Sequence, residues 1–400
     1  MSLKAFPLGL IFSAANLRLS LVACAVTALV SACGGGGGGS ASNTPAPSGL
    51  EVTTYVALQA AAPTPVYSGI GAQARTDVFN YINNTRQTCG FGLVRQNLLL
   101  DQAAQNHGNY MIGQKLLGDP HNESVGQPGF TGVTGSDRAT AVGYKFNGHE
   151  VLENGDLPTV QTNVGIVGAA APLSDDVIRD SFRGLMSAPY HSLPAMFGPA
   201  TDLGIGLGYN STTAIQNVTF LGNIVSENLQ TDLYGIYYEY GMGMNGAGQA
   251  SSSGVQTYPC TGIVDAYPAT FAEVLPYGGS LTSDGRVLGA NPTSSPIYVV
   301  GEPNKTLVIN SAVVTQVDTG QVLKVYDIRT KSTDSANFIY WRNDWSGFVW
   351  LDKPYAPGKS YSTVIHGTSG GTAFTHSFTF TAGKYTALDE AGAASLGLPI

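Results

Sequence analysis

Alternation with a period of two is the pattern that most limits what this chain can become. From about Pro276 it recurs at residues 297–300, 306–309, 313–317, 322–326, 338–341, 348–351, 361–365 and 374–380. Turn residues such as Asp318-Thr319-Gly320 and Pro357-Gly358 separate the runs. A strand sends successive side chains to opposite faces, so each run can bury one face and wet the other. Short alternating strands at this spacing predict a β-sandwich over 276–386, followed by a tail over 387–400. Trp341, Trp345 and Trp350 all fall in this half. Core packing is the plain reading of them, and a sugar-stacking platform is the alternative.

Upstream the period changes. Val78, Phe79 and Ile82 make a helical stripe over about 71–86, and Leu100, Ala103, Ala104, His107, Tyr110 and Met111 make another over about 97–115. His107 lies on that apolar face and reads as a packing residue rather than a ligand. A third helix is predicted from Ser174 as N-cap to Pro189, with Asp175 and Asp176 in its first turn. The run 202–209, DLGIGLGY, reads as a strand, as does 217–225. Helices and strands mix without regular βαβ alternation, so the fold class is α+β. Between the second and third helices, 117–156 is rich in Gly and Asn and is expected to be irregular. Loops that long are functional or disordered.

The first residues read as an address. Lys4 and Arg18 precede an apolar run over 19–30, short of the roughly 20 apolar residues that span a bilayer. Val30-Ser31-Ala32-Cys33 resembles a bacterial lipobox, which implies lipidation of Cys33 after removal of the leader. An ordinary signal peptide cut near Ala32 is the alternative. Residues 1–33 are thus the leader, and 34–66 a Gly/Ser/Pro-rich tether. Gly34 after Cys33 implies a cell-envelope lipoprotein at the outer membrane or cell surface. The formal net charge of -8, without a basic stripe, argues against nucleic acid as a partner. Cys89 and Cys260 remain in the body, and because an exported compartment permits disulfides they are expected to be bridged. Two separate buried thiols are the alternative.

Chemistry concentrates around 143–155, GYKFNGHEVLENG, which carries His149, Glu150 and Glu153. His121, with Glu123 two residues on, lies upstream, and His191 downstream. Imidazoles and carboxylates in one groove suit a weakly bound divalent cation such as Zn or Mg, or acid–base work. There is no H-E-x-x-H and no cysteine ligand set, so a permanently occupied zinc site is not expected. There is no G-x-S-x-G elbow either, and Ser187 and His191, four apart, do not make a triad. A polar, hydrogen-bonded cleft with neither metal nor turnover is the alternative.

These residues bring a resemblance with them. Asn84-x-Arg86, Ala104-x-x-His107-x-x-x-Met111, Pro120-His121-Asn122-Glu123, Arg138 with Gly143-Tyr144, Ser187-Ala188-Pro189-Tyr190-His191 and Asp202-Leu203-Gly204-Ile205-Gly206 occur in that order. Together they resemble the bacterial branch of the CAP superfamily of cysteine-rich secretory, antigen 5 and pathogenesis-related proteins. The resemblance implies an α-β-α sandwich over 67–275, strap included, and the alternating strands that follow read as an immunoglobulin-like sandwich. The resemblance also implies a cleft holding His121, His191 and a glutamate. Glu150, five before Gly155, fits the spacing of that acid, while Glu153-Asn154 fits its letters. The family's helix before the second histidine often carries a tryptophan, where this chain has Leu185, and a second acid. Asp180 and Glu123 are the candidates for that acid.

Three functions remain open on these grounds. The resemblance implies a module that binds a small ligand, a lipid or an envelope partner. A metal-assisted hydrolase, either a peptidase or a cell-wall hydrolase, would use the same cleft. An adhesive or structural envelope protein would need only the sandwich.

Overall fold

The computed structural model describes residues 55–69, 71–114, 122–145, 152–153, 183–184, 186–187, 192, 195–210, 219–220, 223–224, 235–244, 247–250, 254–270, 291–333, 343–385, 390 and 393–400. The expected leader and most of the tether lie outside them. The fold is α+β, with helices gathered in the first half and several antiparallel sheets.

The N-terminal half runs β1 (Tyr55–Ala57), α1 (Ala72–Thr88), β2 (Arg95–Gln96), α2 (Leu98–Gly113), α3 (Gly135–Ala141), β3 (Leu152–Glu153), β4 (Asp202–Asn210), β5 (Thr219–Phe220), β6 (Asn223–Ile224), β7 (Gly235–Gly243) and β8 (Gly248–Ala250). The helical stripes fall as their spacing predicts. Val78, Phe79 and Ile82 are buried on α1, and Leu100, Ala103, Ala104, His107, Tyr110 and Met111 on α2. Asn97 caps α2 by accepting the Leu99 and Leu100 N–H groups, which no intrahelical carbonyl can reach.

Within the 117–156 stretch, residues 122–145 are more ordered than expected, because α3 forms there. Its start is a capping box in which the Thr134 side chain and Asp137 exchange hydrogen bonds with each other's backbone. The strand expected over 217–225 is instead β5 and β6, paired antiparallel with each other. Of the helix expected over 174–189, only 183–184 and 186–187 are described, the first pair helical.

The N-terminal sheet has the order β2-β4-β7-β3, parallel only between β2 and β4. Strand β4 explains its layering. Leu203, Ile205 and Leu207 share an apolar cluster with Val78, Phe79 and Ile82 of α1. The alternate residues Gly204, Gly206 and Gly208 face α2, whose Leu100, Ala103, Ala139 of α3 and Tyr144 form a separate cluster. A Cβ on these glycines would lie 2.2 Å from Leu100 C, 2.1 Å from Ala104 C and 2.0 Å from Gly108 O. The register follows from geometry. Two strand residues advance about 6.8 Å and four helix residues about 6 Å, so each glycine finds the next turn of α2. Asp101 and Gln105, one turn apart, then cap the strand beyond β2. Asp101 Oδ1 accepts from Ile205 N at 2.7 Å, and Gln105 bonds both Leu207 O and Leu207 N.

The C-terminal half comprises β9 (Gln256–Tyr258), β10 (Ala269–Thr270), β11 (Thr293–Ser294), β12 (Ile297–Val300), β13 (Leu307–Gln316), β14 (Val322–Leu323), β15 (Val325–Thr330), β16 (Ser346–Leu351), β17 (Ser360–Ser369) and β18 (Thr372–Thr381). Two four-stranded antiparallel sheets result, β15-β16-β12-β9 and β14-β13-β17-β18. The expected strands 306–309 and 313–317 are one strand, β13, with a register shift between Ile309 and Ser311. Trp345 and Trp350 are buried, as core packing requires, and the 338–341 run with Trp341 lies outside the described residues.

The stretch between the halves divides. Strand β8 pairs with β1. Strand β9 joins the C-terminal sheet through β12. Cys260, just past β9, is bridged to Cys89 at the end of α1, with Cα atoms 5.4 Å apart. Closing a loop over a separation of 171 residues removes denatured-state entropy worth at most about 5 kcal/mol. One apolar cluster continues from Val78 and Ile82 through Cys89 and Tyr258 to Tyr298, Phe348 and Tyr361.

Glycine substitutions test the α2–β4 contact with opposite signs. Gly206→Ala should lower stability by about 3 kcal/mol, since its Cβ would meet backbone. Gly113→Ala, on α2 with nothing within 4 Å of its Cβ, should raise it by up to about 1 kcal/mol. Urea unfolding measures both, and equal effects would contradict the packing described.

Candidate functional site

Of the residues the sequence nominates, His121, His149, Glu150, Asp180 and His191 lie outside the described residues, as does Cys33. Glu153 lies on β3, its backbone opposite Gly241 of β7. Glu123 is described, and it stands in a buried ionic cluster of the N-terminal half.

The cluster is built from three elements. Helix α2 supplies His107, and α3 supplies Arg138. The loop between them supplies Glu123. His107 Nδ1 lies 3.0 Å from Glu123 Oε1, with both side chains fully buried. Arg138 Nε lies 4.0 Å from the same oxygen. The Thr131 N–H and hydroxyl and the Gly132 N–H, the last at 3.3 Å, donate to Oε2. Glu123 N donates to Val133 O, closing the loop on itself. Tyr110 stacks on His107 at 5.9 Å and accepts the Ser124 N–H on its hydroxyl.

Electrostatics agree with that geometry. Burial pushes the Glu123 carboxyl up, but the His107 hydrogen bond, the Thr131 N–H and the Arg138 charge outweigh it. They hold the carboxyl below its usual range. With every face occupied and no solvent exposure, Glu123 and His107 anchor the loop. The role expected of His107, a satisfied packing residue, matches what is seen. Its partner went unforeseen, because periodicity carries no information on pairs made across a loop.

A second cluster ties α3 to the sheet. Tyr144 donates its hydroxyl to Asp202 Oδ2 at 2.8 Å, and Arg95 Nε reaches Asp202 Oδ1 at 2.8 Å. Burial and then the Asp202 charge push the Tyr144 phenol far up, so it remains a donor. A third centre is Arg86, whose guanidinium is fully buried and bonds Gly92 O, Ala195 O, Phe197 O and Gly198 O. Asn84 beside it is exposed. Asn83 is the asparagine that bonds, exchanging hydrogen bonds with Val94 N and O.

Among the described residues no group of three or more His, Cys, Asp or Glu side chains could hold a metal ion. Among them, too, no helix is long and apolar enough to cross a membrane. The chain matches no sequence-family profile, and no curated protein matches it.

Removing the Glu123 carboxylate tests the anchoring role. Glu123→Ala leaves His107 and Arg138 facing an uncompensated site and should cost about 3–5 kcal/mol. The pH dependence has a definite sign. The folded carboxyl titrates below its unfolded value of 4.5, so its contribution is complete above that pH and drains away as pH falls through the folded value. Urea midpoints across pH 3–6 should therefore fall more steeply for wild type than for Glu123→Gln, and parallel curves would contradict the assignment.

Proposed function

We propose that residues 67–275 form a CAP-type domain with a C-terminal strap that lends β9 to the immunoglobulin-like sandwich that follows, all carried on a lipidated Cys33. Its cleft, made of His121, His191 and Glu150 or Glu153, binds a small ligand, a lipid or an envelope partner. One observation carries this reading. Three of the nominated residues are followed within four positions by an anchored one. Glu123, two after His121, is held by α2 and α3. Leu152, two after Glu150, pairs with Met242 of β7. Ala195, four after His191, accepts from Arg86. Two of these anchors use buried charge and one a strand pairing, and anchored backbone beside each nominated residue supports a preorganised binding site. The resemblance supports the same reading, since Arg86, His107, Arg138, Tyr144 and Asp202 of its motifs all stand in these buried contacts.

Ligand binding and turnover are separable by experiment. Saturable binding of a lipid, a sterol or a cell-wall fragment that weakens at least tenfold in His121→Ala and His191→Ala, without hydrolysis, is the expected result. The competing reading, a metal-assisted hydrolase, requires bound Zn or Mg and cleavage of casein or peptidoglycan, both lost in the same variants. No saturable binding to any of these classes would end the proposal. Anchoring has its own test: Cys33→Ser should move the protein from the membrane to the soluble fraction.

A further inference from the structure

Among the described residues the two C-terminal sheets have four edge strands, and three of them are protected. Strand β9 has only three residues and β14 only two. Strand β15 carries Asp327 and Arg329. Short edges and edge charges are the usual defences against pairing with another strand. Strand β18, TAFTHSFTFT, has neither. It runs ten residues without Pro, Lys, Arg, Asp or Glu, and it pairs with β17 without a register shift.

Which groups are open follows from the register. Thr379 N donates to Thr261 Oγ1 and Thr381 N to Ile263 O, so the odd-numbered residues of β18 turn their backbone groups away from β17. Residues 261–263 thereby cover the C-terminal part of the edge. Ala373, Thr375 and Ser377 are exposed, and no described residue bonds their outward N–H and C=O groups. Their side chains share the outer face with Val313, Val364, His366 and Thr368, where pairing across β13, β17 and β18 puts no Lys, Arg, Asp or Glu.

We propose that this edge pairs with the same edge of a second copy, antiparallel and centred on Thr375. The three open residues are symmetric about Thr375. A two-fold axis there sets Thr375 opposite its own copy and Ala373 opposite Ser377. Each N–H then meets a C=O, and the four-stranded sheet becomes a continuous eight-stranded one. The self-complementarity selects a second copy over a foreign strand, because a two-fold interface uses one patch twice. The chain's net charge of -8 does not oppose it locally, since neither the edge nor its outer face carries a formal charge. One strand pair buries less than the roughly 1,200 Å² of a standard interface, so the association is weak and concentration-dependent.

Sedimentation equilibrium of the full-length chain tests this. Wild type should approach twice the monomer mass as concentration rises to about 100 μM. Thr375→Lys places two like charges on the axis, and Ser377→Pro removes an outward N–H without touching the β17 pairing. Both should weaken association at least tenfold while the circular dichroism spectrum is kept, and if one variant misfolds the other decides. Val313→Lys, on the same outer face but two strands from the edge, should associate as wild type does. A wild type that stays monomeric, edge variants that still associate, or loss of association in Val313→Lys would each overturn the proposal.

Discussion

The guanidinium of Arg86 is the interaction on which the N-terminal half depends. It is fully buried, and its hydrogen bonds run to four backbone carbonyls, one at Gly92 and three between Ala195 and Gly198. Burial pushes it down to about 9, so it remains charged at neutral pH. Carbonyl dipoles take the place of water around the cation, and Phe91 covers it at 5.7 Å. Such an arrangement holds one geometry only, because the planar donors must meet acceptors from segments more than a hundred residues apart. The result fixes where α1 ends, how the chain enters β2, and where the segment leading into β4 lies.

Glu123 does for the loop between α2 and α3 what Arg86 does for these two segments. In a chain with only 12% charged residues, several of the buried charges are invested in backbone. Glu123 accepts from N–H groups of its own loop, Asp101 from Ile205 N, and Arg86 donates to carbonyls. Each satisfies polar groups that irregular chain would otherwise leave unpaired in the interior. Long Gly-rich loops can thus be held in place without helix or sheet.

Much of the scaffold was legible in the sequence, and the failures have physical reasons. Helices α1 and α2 each bury one face continuously, and β4 alternates Leu or Ile with Gly because its two faces meet different helices, so their periods survive in the residues. Strand β13 read as two because the register shift near Ile309 changes the phase of its alternation. Helix α3 has too few residues to show a period, and its signal was local, the Thr134–Asp137 capping box. The partnership of His107 with Glu123 was invisible because it joins a helix to a loop that no pattern orients. The bridge expected between Cys89 and Cys260 is seen here. Of the nominated cleft residues, only Glu123 has a described side chain, and it serves the frame.

Buried charge fixes backbone segments that lie far apart in the chain. Amide hydrogen exchange of Arg86→Lys tests it most directly, because a lysine keeps the charge yet cannot span four carbonyls. Faster exchange is expected at 92–97 and at 195–203 together, with β17 and β18 still protected. Unchanged protection in both segments would contradict it.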